Sequence, residues 1–165
     1  MSESVALDSI DAAIVRELQN DGRLANKVLA GRVGVAPSTC LARTQRLQRV
    51  GVISGFHAKV SPQAVGRGVE AVLAVQFVAH SRPLVDPFVA WAQALPETRS
   101  LQHVTGPDDF LVQVACADTA DLQQLVLAFT ARQEVGRLQT YLVFASWEGG
   151  PVLAPQGAHR EQSGP

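Results

Sequence analysis

Eight lysines and arginines lie in one stretch of the chain, between Asp21 and Glu70, that contains no acidic residue. They are Arg23, Lys27, Arg32, Arg43, Arg46, Arg49, Lys59 and Arg67. The net charge of the 165-residue chain is −1, so this excess is local: residues 1–60 carry +3 and residues 61–165 carry −4. Clustered positive charge suits a polyanion, whose phosphates it neutralises. We therefore expect the front of the chain to meet nucleic acid.

Three helices are predicted to position these side chains. The first begins at Asp8, whose carboxylate caps the first turn, and ends at Asp21-Gly22. The second covers about 26–33, and the third runs from Pro37 to Val50. Two helices joined by a short turn containing Gly, with the second helix more basic, form the plan of a helix-turn-helix.

The third predicted helix has two distinct faces at 100° per residue. Cys40, Thr44 and Leu47 fall on the predicted core side. The other side, together with the second helix, supplies the predicted DNA contacts: Ser38, Thr39, Ala42, Arg43, Arg46, Arg49, Lys27 and Arg32. A solvated charged face is the alternative interpretation, although such faces usually mix the two signs of charge.

The back two thirds predict four strands and two helices. The strands are 70–79, 99–105, 110–116 and 137–147, and the helices are 84–95 and 118–130. The order β-α-β-β-α-β is the ferredoxin-like arrangement, so the fold class is α+β. We divide the chain into a DNA-binding domain at 1–60 that ends in a linker strand (52–60), a ferredoxin-like dimerisation domain at 61–148, and a disordered tail at 149–165. The strands look apolar on both faces, which predicts a homodimer packed sheet against sheet.

A long collinear set of front residues matches a known pattern: Leu7, Asp8, Asp11, Leu18, Asp21, Gly22, Arg23, Leu29, Ala30, Val33, Gly34, Pro37, Ser38, Arg43, Arg46, Leu47, Gly51, Val52, Ile53, Gly55 and Phe56. With these residues the chain resembles the Lrp/AsnC family of transcription regulators, over about residues 5–148. The resemblance implies a (winged) helix-turn-helix domain that binds double-stranded DNA. One departure is Ala36, where the family usually has Ser. The loss of that capping hydroxyl costs ~1 kcal/mol of helix stability. We expect the Ser38 hydroxyl to replace the missing cap in part.

The same resemblance implies that the domain at 61–148 is also effector-binding. The implied effector is small, an amino acid, and it is bound between subunits of a homodimer that assembles further, for example to an octamer. Gly106 and Asp109 match the family's G-x-x-D turn, whereas Pro107 and Asp108 depart from it. By resemblance, backbone at Thr105 and Gly106 holds the effector carboxylate and Asp109 pairs with its ammonium. The implied effector residues are Leu101, His103, Val104, Thr105, Gly106, Asp108, Asp109 and Thr140. The alternative for Asp109 is a turn-forming residue.

Other classes of protein find little support in the sequence. Cys40 and Cys116 make no metal pattern, and the four histidines form no motif, so no metal, cofactor or catalytic residue is predicted. No signal peptide or membrane span is recognisable, and we expect a cytoplasmic protein without a membrane partner. A tetrapyrrole-decarboxylase-like enzyme and an amino-acid sensor without DNA binding are the alternative functions.

Overall fold

The computed structural model describes residues 5–78 and 82–153, which form two compact units. The first unit extends to Ala58 and also includes the segment that begins at Glu148. The second unit is Lys59–Trp147.

The first unit contains three helices at the predicted places. They are α1 (Ser9–Asn20), α2 (Asn26–Val33) and α3 (Pro37–Arg49). Asp8 caps α1 as predicted, because its side chain accepts a hydrogen bond from the Asp11 amide at 2.8 Å. Gly34 ends α2 with φ 72°, a left-handed conformation that glycine adopts without a steric penalty.

The start of α3 lacks a side-chain cap. Ala36 occupies the N-cap position, and no side-chain hydrogen bond satisfies the amides of the first turn. The prediction that Ser38 replaces the missing capping hydroxyl is therefore wrong. The Asn26 side chain donates instead to the Pro37 carbonyl at 2.8 Å, which ties α2 to the first residue of α3. The core beneath the helices consists of Ile14, Leu29, Ala30, Cys40 and Leu47.

The predicted linker strand at 52–60 does not form in the described part of the chain. The amides of Val52 and Ile53 both donate to the Leu47 carbonyl, which turns the chain back after α3. Residues 54–60 belong to no strand. The expectation was wrong because weak alternation of apolar residues does not by itself provide a neighbouring strand.

The second unit has the predicted ferredoxin-like order. Its elements are β1 (Val69–Phe77), α4 (Val85–Ala94), β2 (Thr98–His103), β3 (Phe110–Cys116), α5 (Thr119–Thr130) and β4 (Val135–Leu142). The strands form one antiparallel sheet in the order β2-β3-β1-β4. The last strand ends at Leu142 rather than Trp147, and predicted strand residue Ala79 lies outside the described residues.

The two faces of this sheet differ more than the sequence suggested. Leu73, Phe110 and Val112 point towards α4 and α5, where Phe88 and Phe129 complete the buried core. Side chains alternate along a strand, so the neighbours of these residues form an open face. Its centre is small and apolar, with Val72, Ala74, Leu111 and Ala115. Polar and charged residues surround this centre: Glu70, Gln76, Gln102, Gln113, Arg137, Gln139 and Tyr141.

The first five residues of the predicted disordered tail are described by the structure. They adopt no regular secondary structure, but Val152 is held by Gln19 of α1. The Gln19 amide donates to the Val152 carbonyl and accepts from the Val152 amide, both at 2.8 Å. The remainder of the predicted tail, 154–165, lies outside the described residues.

Candidate functional site

Three ion pairs fasten α3 to the start of α1. Nη1 of Arg43 donates to Asp8 Oδ2 at 2.5 Å and to Asp11 Oδ1 at 3.0 Å. Nη2 of Arg46 donates to Asp11 Oδ2 at 2.5 Å. Only 1% of Asp11 is exposed, so its carboxylate is removed from water and compensated by two guanidinium groups. The pairs therefore fix the orientation of α3.

These contacts alter the ionisation of two members of the cluster. The Asp11 amide, which donates to the Asp8 carboxylate, lowers the pKa of Asp8, and Arg43 lowers it further. The same pairing raises the pKa of Arg43, first through Asp8 and then through Asp11. Asp8 and Arg43 are therefore both charged at neutral pH.

Several arginines that the sequence presents without acidic neighbours are paired in space. Arg43 and Arg46 turn towards α1, because Asp8 and Asp11 lie outside the basic stretch but beside it in the fold. Arg32 pairs with Glu17 at 2.8 Å. The expectation that the basic stretch lacks acidic partners is thus wrong, and Arg32, Arg43 and Arg46 are not free cations.

One ridge of α3 remains open to solvent. Its members recur at spacings of four, three and four residues, which is helical: Ser38, Ala42, Gln45 and Arg49. Thr39 is exposed beside this ridge, and Lys27 is exposed on α2. In the described residues no carboxylate pairs with Arg49. Gln45 was not among the predicted DNA contacts, although the helical spacing places it between Ala42 and Arg49 on this ridge.

The turn between β2 and β3 is locked by Asp109. Its Oδ2 accepts from the Phe77 amide at 2.7 Å, and its own amide donates to the Val75 carbonyl at 2.9 Å. Its carbonyl accepts from the Val104 amide at 2.9 Å. Asp109 therefore anchors the turn to the end of β1, which matches the alternative interpretation of this residue and leaves only part of its carboxylate for a ligand.

Asp108 is placed differently from its neighbour. Its Oδ1 is buried and has no hydrogen-bond partner among the described residues. Among the described side chains, the cation paired with it is Arg137 of β4, whose Nη2 lies at 3.8 Å, outside hydrogen-bond range. Arg137 was not among the predicted residues, because it lies on β4, far along the chain from the turn between β2 and β3. The turn thus combines a carboxylate oxygen that lacks a donor with an adjacent guanidinium group.

The remaining predicted effector residues do not all meet within one chain. Leu101 and His103 lie on β2, where the His103 ring stacks on Phe110 with centroids 4.6 Å apart. Thr105 and Gly106 are exposed in the turn, and Gly106 has φ 131°. Thr140 lies on β4 at the opposite edge of the sheet, three strand spacings or roughly 14 Å from β2.

The structure brings together no metal site in its described residues, where no group of three or more His, Cys, Asp or Glu side chains is suitably placed. His80 and His159 lie outside those residues. Burial raises the pKa of the Cys40 thiol, and burial next to Asp121 and Glu97 raises the pKa of Cys116 to about 11, so neither is an activated thiol. None of the described helices is long and apolar enough to cross a membrane.

A helix-turn-helix unit joined to a ferredoxin-like unit defines a class of two-domain, DNA-binding transcription regulators. Residues 7–48 match the AsnC-type helix-turn-helix domain, and residues 70–152 match the Lrp/AsnC ligand binding domain. The chain belongs to the Lrp/AsnC family, and it is a DNA-binding transcription regulator that responds to a small effector.

Individual relatives cover almost the whole chain. The HTH-type transcriptional regulator AldR of Mycolicibacterium smegmatis is 38% identical over 148 residues, which are 89% of this chain and 86% of that protein. The leucine-responsive regulatory protein of Rhizobium meliloti is 37% identical over 139 residues, 84% and 89% of the two chains. A transcriptional regulator from Neisseria meningitidis, solved as its complex with L-Met, superposes with a TM-score of 0.83 at 29% identity, covering 90% and 97% of the two chains.

Proposed function

We propose that the protein binds double-stranded DNA as a homodimer through the exposed ridge of α3, and that an amino acid changes this binding. The observation that carries the proposal is the ridge itself: Ser38 and Ala42 have short side chains that permit close approach, and Arg49 is a cation without a carboxylate partner among the described residues. Arg49 and Lys27 are assigned to phosphates. Arg43 and Arg46 act by orienting α3, because both are paired to α1.

The homodimer is proposed to form through the open face of the sheet. Val72 and Leu111 are partly exposed at its centre, and the small, buried residues Ala74 and Ala115 beside them keep this part of the face flat. This flat part of the face favours a self-complementary twofold contact, which would present two α3 helices to successive major grooves. Further assembly of dimers, for example to an octamer, extends the same proposal.

Sedimentation of matched variants tests the dimer. Val72→Arg adds a charge to the centre of the open face, whereas Arg99→Glu changes charge on the exposed β2 edge. The first is expected to give monomers and the second to leave the assembly intact. An assembly that survives Val72→Arg unchanged would place the interface elsewhere.

The effector is proposed to be an amino acid at the turn between β2 and β3. Support comes from the charges there: the donor-deficient Oδ1 of Asp108 suits an ammonium, and Arg137, 3.8 Å away, suits a carboxylate. Two of the similar proteins are named for leucine responsiveness or were solved with L-Met. Thr140, on the far edge of the sheet, would serve a bound effector only from a second subunit.

Binding of genomic fragments in the presence of each amino acid tests the whole proposal. The fragments recovered, or their affinity, are expected to change with one or a few amino acids, and Asp108→Asn is expected to abolish that response while leaving DNA binding without effector intact. Recovery of no fragments at all would favour an amino-acid sensor that does not bind DNA. A response that is unaltered in Asp108→Asn would remove the effector from this turn.

A further inference from the structure

Gln45 lies at the centre of the exposed ridge of α3. It follows Ala42 by three residues and precedes Arg49 by four, so all three side chains leave the helix in nearly the same direction. Gln45 is exposed, and its side-chain amide has no hydrogen-bond partner in the described residues. It is therefore the longest uncharged polar side chain on the exposed ridge of α3.

The chemistry of Gln45 differs from that of every arginine on the helix. A glutamine amide has one donor group and one acceptor, which match N7 and the N6 amino group of adenine in the major groove. Guanine, by contrast, is usually read by arginine through two acceptors. The two arginines nearest to Gln45 in sequence are committed to Asp8 and Asp11, with contacts of 2.5 to 3.0 Å. The middle of the ridge is thus left to an uncharged side chain that is able to pair with adenine.

Leu41 supplies a second feature of the same surface. It precedes Gln45 by one helical turn, and 47% of its surface is exposed although it is a large apolar residue. An exposed leucine beside a groove-facing glutamine suits the methyl group of thymine, which is the apolar mark of an A·T pair in the major groove. Both side chains therefore favour A·T pairs.

We propose that Gln45 reads an adenine in each half-site by a bidentate contact to N6 and N7, and that Leu41 contacts the methyl group of a thymine at the same or the adjacent base pair. This assignment rests on the proposed DNA-binding role of the ridge. Arg49, one turn further along the helix, then lies at the phosphate backbone. Ser38 and Ala42 allow the helix to approach closely enough for this contact. The base preference of the protein is therefore set by an uncharged residue, while its basic residues supply affinity.

Selection of duplexes from a randomised library tests this assignment. The wild-type protein is expected to select an adenine at one fixed position of each half-site, and Gln45→Ala is expected to lose the preference there alone. Affinity for the selected duplex should fall by about 5- to 150-fold, the range of one bidentate base contact. Gln45→Glu is expected to move the preference towards cytosine, whose N4 amino group donates to a carboxylate.

Two controls separate base reading from a structural role. Gln124→Ala makes the same chemical change on an exposed residue of α5, in the second unit, and should leave the selected sequence unchanged. Binding to non-cognate DNA at low salt should be equal for the wild type and Gln45→Ala. An unchanged preference in Gln45→Ala, or an equal reduction of affinity on cognate and non-cognate DNA, would overturn the proposal. Failure of the wild type to bind any duplex would instead overturn the DNA-binding role of the ridge.

Discussion

Arg46 of α3 donates to Asp11 of α1 at 2.5 Å, and Asp11 is 1% exposed. This pair joins residues 35 positions apart and, with Arg43, connects α3 to α1. Two arginines that look suited to phosphates are therefore part of the scaffold. Mutations at Arg43 or Arg46 will weaken DNA binding by shifting α3, and measurements of stability can distinguish this cause from the removal of a group that touches DNA.

Replacing Asp11 by Asn is expected to destabilise the helix-turn-helix unit by about 1.5 to 3 kcal/mol, the range for a buried hydrogen bond to a charged group. Chemical denaturation followed by circular dichroism measures the effect. Glu17→Gln is the matched control, because it breaks the exposed pair with Arg32 and should cost below about 1 kcal/mol. Equal effects of the two substitutions would show that the buried cluster does not hold α3.

The stability of this unit should depend on Asp8 in acid. The pKa of Asp8 is lowered in the folded state from its ordinary value of 3.8, so the charged form stabilises the fold above that pH. This contribution is lost as the pH falls from about 4 through the lowered pKa. Asp8→Asn keeps a capping oxygen without the charge, so the difference in stability between wild type and variant should vanish in that window. A difference that stays constant from neutral pH to strong acid would contradict the assignment.

Ala36→Ser should stabilise the protein. Ala36 is the N-cap of α3, and no side-chain hydrogen bond caps the first turn, so a hydroxyl there gains a backbone amide. The expected gain is about 1 kcal/mol, measured as a higher denaturation midpoint at an unchanged slope. Ala25→Ser tests the same change at the uncapped start of α2. No gain at either position would mean that water already satisfies these amides as well as a side chain does.

Asp109 is expected to matter for the fold of the second unit. Asp109→Ala removes the acceptor of the Phe77 amide and should cost about 1.5 to 3 kcal/mol, whereas Asp108→Ala removes an oxygen that lacks a donor and should cost less. Thermal unfolding of both variants without added amino acids measures this order. The reverse order would show that Asp108 has the structural role.

The helices and strands, and their order along the chain, could be predicted from the sequence because the signals for each element are local. Asp8 caps α1 as expected, and the bounds of α2 and β3 agree with the prediction. The pairing of Arg46 with Asp11 is a tertiary contact, which no local charge pattern contains. The segment 52–60 failed as a strand for the same reason, since a strand needs a neighbour that spacing does not supply.

The candidate sites also combine local features, which the sequence shows, with tertiary contacts, which it does not show. Helical spacing alone would have revealed Gln45, but charge pointed to Arg43 and Arg46 instead. The sequence suggested the turn at Gly106, yet the different roles of Asp108 and Asp109 depend on which carboxylate meets the Phe77 amide. That choice is set by the register of β1 against β3 and not by residue type.

Salt dependence of DNA binding tests whether the exposed ridge of α3 contacts DNA. Fluorescence anisotropy with a selected duplex should give a lower affinity for Arg49→Ala than for wild type, and a salt slope smaller by about 0.9 for each phosphate that Arg49 neutralises. Arg99→Ala removes an exposed arginine from the second unit and should change neither quantity. Identical affinity and slope for Arg49→Ala and wild type would mean that this ridge does not face the DNA backbone.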